Sequence, residues 1–266
     1  MKSEVITITP EMAKEMLGRN SHNRPIKWDI VNLYARMMYE GRWKLNGETI
    51  IMNGDRLLNG QKRLHACVKA GVSFTTWVVE GVDTNAFDTI DQNEVRSRGQ
   101  ILSIAGIPNG AKVATGLQWA QIIQAAAGKK TVTAGRNSTR LSASDLREMA
   151  DGNDQITNSV RSVDVAYKRF TPIVGGPLVG LHYVLSLRDE PMLQEFMSGL
   201  AEGIGLAEGD PRLALRNRLI DRKAKRDKES MDHVCSLYVY GWNAFKEGRK
   251  LSKMMLKAGE KLPFVA

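Results

Sequence analysis

The chain has 266 residues, 42% hydrophobic and 25% charged, a balance that suits one large globular domain or two modest ones. A formal net charge of +9 and a pI near 9.6 favour anionic partners, with nucleic acid the first of them. The two cysteines, Cys67 and Cys235, lie far apart without CxxC neighbours, and the four histidines lack metal-ligand spacing, which argues against a disulfide framework or a zinc site. No apolar run reaches the roughly 18 residues of a membrane span, and Met1–Thr7 has no apolar signal core, so a cytoplasmic protein is expected.

In chain order, Glu4–Thr9 is rich in β-branched residues and reads as a strand. Thr9-Pro10-Glu11 has the form of an N-cap, a Pro at the first helical position and an acidic first turn, predicting a helix through Leu17. After the loop Asn20–Pro25, Asp29 caps a second helix whose apolar stripe is Ile30, Leu33, Tyr34, Met37 and Met38, closed by Gly41. Glu48–Asn53 and Arg56–Leu58 are strands joined at Asn53-Gly54-Asp55. A helix follows Gly60 and ends at Gly71. Phe74–Glu80 is a strand, Asp83–Asp91 a short helix, and Ile101–Ala105 lies in a helix that stops at Gly106-Ile107-Pro108.

Beyond residue 110 strand signals nearly vanish. Ala111–Ala127, Ser142–Ala150, Ile156–Phe170, Leu178–Leu187, Pro191–Gly203, Pro211–Lys225 and Ser230–Gly248 all carry helical periods, and Gly128–Arg140 is the longest polar stretch between them. The expected fold class is therefore α+β, with a small mixed α/β domain over residues 1–108 followed by an all-helical, basic domain over 109–266.

The densest chemical signal is Leu57-Leu58-Asn59-Gly60-Gln61-Lys62-Arg63-Leu64-His65-Ala66. A short apolar run meets a turn-forming Asn-Gly, and a helix with cations in its first turn begins at once. Helix N-termini carry partial positive charge and backbone donors, so a strand, a Gly turn and a basic helix start make a cradle for phosphate or carboxylate. An ordinary strand-to-helix connection with two solvated cations is the alternative.

A second polar cluster, Gln92-Asn93-Glu94-Val95-Arg96, follows downstream. Taken together, the two clusters resemble the ParB/sulfiredoxin-like superfamily over roughly residues 4–106. Gly60-Gln61-Lys62-Arg63 matches a Gly-Glu-Arg-Arg type motif, and Gln92–Arg96 matches Glu-Asn-x-x-Arg. Leu57–Leu64 is closer still to the Leu-Leu-Asp-Gly-Gln-His-Arg-Leu form of phage and plasmid ParB-like proteins. The resemblance implies a fold that holds a nucleoside triphosphate with Mg²⁺. Gly60, Gln61, Lys62 and Arg63 would line the phosphate site, and Asn93 would face the triphosphate or its Mg²⁺. Arg96 would pair with phosphate oxygens, and Arg24, in a loop resembling the family's first motif, would close the site. Gln61 stands where the family's clamps have Glu and sulfiredoxin its reactive Cys, which excludes sulfur chemistry there. Amides at Asn59, Gln61 and Gln92 cannot act as general bases, so binding is favoured over catalysis.

In the second half, Asp210-Pro211 starts a helix carrying Arg212, Arg216, Arg218, Arg222, Lys223, Lys225 and Arg226. Such a helix can neutralise several DNA phosphates while packing through Leu213, Leu215, Leu219 and Ile220. Tyr167-Lys168-Arg169-Phe170 interleaves aromatic and basic residues, a pattern that suits phosphate contact with base stacking, although packing of both aromatics is the preferred reading. The leading expectation is a ParB-like nucleotide-binding protein that engages DNA through its basic helical domain, with a homo-oligomer left open. The alternatives are a phosphotransferase or nuclease on the same fold, acting on DNA or a small hydroxyl substrate, and a non-catalytic phage-type interaction protein with a vestigial site.

Overall fold

The computed structural model describes residues 1–20, 25–83, 97–129, 139–164, 175–224, 231–256 and 262–266, the side chains of 223, 224 and 232 excepted. The chain is α+β and divides into two compact units, Met1–Val95 and Arg96–Ala266.

The first unit holds β1 (Lys2–Ile8), α1 (Pro10–Gly18), α2 (Trp28–Tyr39), β2 (Thr49–Asn53), β3 (Arg56–Asn59), α3 (Gln61–Ala70) and β4 (Phe74–Glu80). The four strands form one mixed sheet in the order β1-β4-β2-β3. β4 pairs antiparallel with β1 and parallel with β2, and β2 pairs antiparallel with β3. Alternation decides the faces. Ile8, Ile50, Met52, Leu57, Phe74 and Val78 pack with Ala13, Val31, Ala35, Met38, Leu64 and Cys67 of the helices into one core. Val5 and Trp77, paired across β1 and β4, remain exposed on the opposite face.

Local signals set most boundaries. Thr9 caps α1 by accepting a hydrogen bond from the Met12 N–H at 3.2 Å, with Pro10 at the first helical position. α2 differs from expectation at its start. Lys27 is its N-cap, without a side-chain bond, and Asp29 lies in the first turn. Its buried stripe is Val31, Ala35 and Met38 rather than one centred on Ile30 and Leu33, because the helix is rotated toward the core shared with α3. The β2–β3 hairpin turns through Gly54, the one residue of its turn with positive φ (+53°). The expected short helix over Asp83–Asp91 falls almost wholly outside the described residues.

The second unit contains α4 (Arg98–Ile104), α5 (Gly110–Ala126), α6 (Ala143–Ala150), α7 (Asp154–Ser162), α8 (Gly176–Ser186), α9 (Glu190–Glu202), α10 (Pro211–Ala224) and α11 (Met231–Lys246). The division between units falls before α4, whereas the loop at Gly106–Pro108 had suggested a boundary after it. Glycines are the reason. A Cβ on Gly99 would lie 2.6 Å from the Ala111 Cα, and one on Gly110 would lie 2.6 Å from the Gly99 carbonyl oxygen, so α4 and α5 touch backbone to backbone. α5 and α8 approach as closely, since a Cβ on Gly180 would lie 2.7 Å from both the Ala120 nitrogen and the Gly116 oxygen. Trp242, Tyr238 and Phe196 fill the centre of this unit. Residues 262–266 are laced back onto it. Asn243 Nδ2 donates to the Phe264 carbonyl at 2.6 Å, and the Leu262 N–H donates to the Lys129 carbonyl at 2.9 Å.

Cys67 and Cys235 are both buried and neither is in a disulfide, and burial pushes the Cys67 thiol up to about 11. Among the described residues, no helix is long and apolar enough to cross a membrane.

Candidate functional site

The strand-to-helix turn after β3 is built on Gly60. Its φ is +108°, and its carbonyl accepts the N–H groups of Arg63 at 3.0 Å and Leu64 at 3.1 Å, which closes the first turn of α3. A Cβ here would sit 2.2 Å from Ile50 Cδ1, so both the backbone conformation and the packing of β2 require glycine. Asn59 does not share the positive φ; it ends β3.

Three side chains of the first turn take different directions. Gln61 is 8% exposed, and its Oε1 accepts from Asn20 Nδ2 at 3.3 Å. Lys62 is half-buried. Arg63 is 7% exposed. Its Nη2 donates to the Thr49 carbonyl at 2.8 Å and lies 4.0 Å from Glu48 Oε2. The guanidinium expected to line the phosphate site thus ties α3 to the start of β2.

Sequence reasoning passed over two neighbours, His65 and Trp28. Their rings meet edge-on with centroids 5.4 Å apart, and burial holds the His65 pKa below its usual value. Trp28 is nevertheless 55% exposed. Asn20 and Trp28 thus both touch α3, the first through Gln61 and the second through His65. No spacing rule links residue 28 to residue 65, so only the packing of α2 on α3 reveals the pair. Arg24 and Asn93 lie outside the described residues, as do Arg96 and the aromatic-basic run Tyr167–Phe170.

On α10, the arginines divide. Arg212 grips Asp210 with Nε at 3.1 Å from Oδ1 and Nη2 at 2.8 Å from Oδ2. Its Nη1 reaches Glu195 Oε1 at 3.3 Å, and its guanidinium lies 4.5 Å from the centre of the Phe245 ring. Burial alone would raise the Asp210 pKa, but the Arg212 hydrogen bonds and charge outweigh it and hold the carboxyl low. Arg216 Nη1 donates to the carbonyls of Leu200 and Ala201, satisfying the C-terminal end of α9 beside Gly203. These two cations are engaged within the unit. Arg218 and Arg222 are half-buried, while the Lys223 side chain, Lys225 and Arg226 lie outside the described residues. Leu215 and Leu219 are core as expected, joined by Ala214, whereas Leu213 is half-buried and Ile220, seven residues further along the same face, is 46% exposed.

Charge separates the units sharply. Residues 1–95 carry 12 Lys/Arg against 12 Asp/Glu, and residues 96–266 carry 26 against 17, so the whole net charge of +9 belongs to the helical unit. Among the described residues, no group of three or more His, Cys, Asp or Glu side chains is placed to hold a metal ion. No family model, no curated protein and no solved structure matches this chain.

Proposed function

We propose that the first unit binds a nucleotide through its phosphates at the start of α3, and that the helical unit engages nucleic acid. The observation that carries the reading is the Gly60 turn, whose +108° φ and contact with Ile50 admit no side chain and so hold the first turn of α3 in one place. A fixed helix start with Lys62 on its first turn offers oriented dipole and charge to an anion. Asn20 and Trp28 both contact that same helix, through Gln61 and His65. The concentration of net charge in residues 96–266 supports the assignment of nucleic acid to the helical unit.

The residues at the turn fit phosphate binding better than bond cleavage. Gln61 and Asn59 are amides, and an amide cannot accept a proton as a general base. Any Mg²⁺ would accompany the nucleotide, held chiefly by the phosphates themselves. Arg63 acts as a brace, so Lys62 is the cleaner residue to probe.

Thermal stabilisation by ATP, CTP, GTP and UTP with Mg²⁺, measured on wild type and Lys62→Ala, tests the reading. Saturation to about 100 times Kd adds roughly 2.7 kcal/mol to stability. The expected result is a shift with at least one nucleotide that shrinks in Lys62→Ala. The absence of a shift with all four would overturn it.

A further inference from the structure

Trp28 is the first residue of α2, and more than half of its surface is open to water. Tryptophan is largely buried in most folds, yet Trp28 takes no part in the core of the first unit. Its ring is nonetheless held in place. It meets the His65 ring edge-on, with centroids 5.4 Å apart and planes inclined at 63°.

A second contact fixes where this pair lies. One turn further along both helices, Lys69 Nζ donates to Asn32 Oδ1. The two contacts step by four residues in the same direction, from 28 to 32 on α2 and from 65 to 69 on α3. The helices therefore run side by side with their starts at one end. The Gly60 turn opens α3 at that end. Lys62 precedes His65 by three residues, so both share the face of α3 that meets Trp28. The exposed ring is thus backed by a residue one helical turn from Lys62.

A nucleotide joins a charged phosphate chain to a flat heterocycle. An indole is the broadest aromatic surface a protein offers to such a ring, and stacking tolerates any base because every base has a π face. A ring already held by a neighbour also loses less freedom when a ligand covers it.

We propose that Trp28, held by His65, is the platform on which the base of a bound nucleotide stacks while its phosphates lie at the start of α3. The platform rests on the phosphate reading of the Gly60 turn and adds to it the reason that a nucleotide, rather than a bare polyphosphate, is the preferred ligand. Stacking alone separates the four bases only weakly.

The test titrates the full chain, with Mg²⁺, against the four nucleoside triphosphates and against inorganic tripolyphosphate, which has comparable charge and no base. Wild type, Trp28→Ala, Trp28→Phe and Lys62→Ala are compared, with thermal melts in the absence of ligand confirming that each is folded. In wild type at least one nucleotide is expected to bind roughly tenfold or more tightly than tripolyphosphate. Trp28→Ala should lose most of that advantage, and Trp28→Phe, which keeps a ring, should retain most of it. The Trp28 fluorescence, taken as the difference between wild type and Trp28→Phe, should be quenched by the nucleotide and not by tripolyphosphate. Nucleotides no tighter than tripolyphosphate in wild type, or a Trp28→Ala variant equal to wild type in nucleotide affinity, would overturn the platform. The phosphate reading would survive that result if Lys62→Ala weakens both ligands. Nucleotide binding that needs Trp28 but not Lys62, with tripolyphosphate unbound, would instead overturn the phosphate reading alone. Binding of neither ligand would overturn both.

Discussion

The two units use their cations in opposite settings. Residues 1–95 are electrically balanced, and the helix that follows Gly60 turns one of its two leading cations, Arg63, inward against β2. Residues 96–266 carry the entire net positive charge, yet the helix richest in arginine, α10, also turns its first two cations inward, onto Asp210 and onto the end of α9. A run of basic residues therefore does not by itself describe a basic surface. Arginine has a long apolar stem and a head with five donors, and inside a fold it satisfies carboxylates and helix-end carbonyls that would otherwise lie buried without partners.

The comparison can be broken most forcefully at the glycines that seat each unit's helices. In the helical unit, Gly180→Ala would drive a methyl group into the Ala120 nitrogen and the Gly116 oxygen, both backbone atoms that cannot step aside. The expected cost is about 3 kcal/mol or more in urea denaturation, and a loss below about 1 kcal/mol would show that α5 and α8 part easily. In the first unit, Gly60→Ala meets a movable side-chain end, Ile50 Cδ1, but keeps the strain of a positive φ. About 2 kcal/mol is expected, part of it recovered by adding Ile50→Val, since only the clash and not the φ strain is relieved.

Arg212→Ala sharpens the contrast between inward and outward cations. It should lower stability by about 2 kcal/mol, because Asp210 is left half-buried without its partner and the Phe245 ring loses its cap. At a temperature where the variant stays folded, the salt dependence of DNA binding should match wild type, because Asp210 and Glu195 already neutralise this charge. A shallower salt slope would place Arg212 on the DNA after all.

The smallest effect is a titration. His182 is buried in α8 with Nδ1 3.0 Å from Ser159 Oγ. Burial pushes its pKa down to about 4, against the opposing pull of Glu190. The unfolded chain, with an ordinary histidine near 6.5, binds the proton first as pH falls. The stability linked to His182 is therefore complete above about pH 6.5 and is lost as pH drops toward 4. At pH 5.5 the loss should be about 1.4 kcal/mol, read from denaturation midpoints, and His182→Asn should flatten the dependence across that window.

Much of the architecture was legible because its causes are local. Thr9 and Pro10 start α1 through one hydrogen bond and one preset φ, Gly71 stops α3 at φ +68°, and the apolar run Phe74–Glu80 forms β4 from end to end. The helices described after residue 110 follow from periodicity in the same way. The Gly60 turn was legible for a similar reason, since a positive φ between a strand and a helix leaves its mark in a single residue.

Sequence by itself thus determined the order and kind of most described elements, which half is mostly helical and where a helix start faces a glycine turn, because caps, turns and periods act within a few residues. Tertiary structure alone decided that β4 lies between β1 and β2, that α4 belongs with α5, that Trp28 meets His65, and which arginines are turned inward. Those outcomes depend on partners tens of residues away, and a long charged side chain goes to whichever neighbouring element offers it an acceptor.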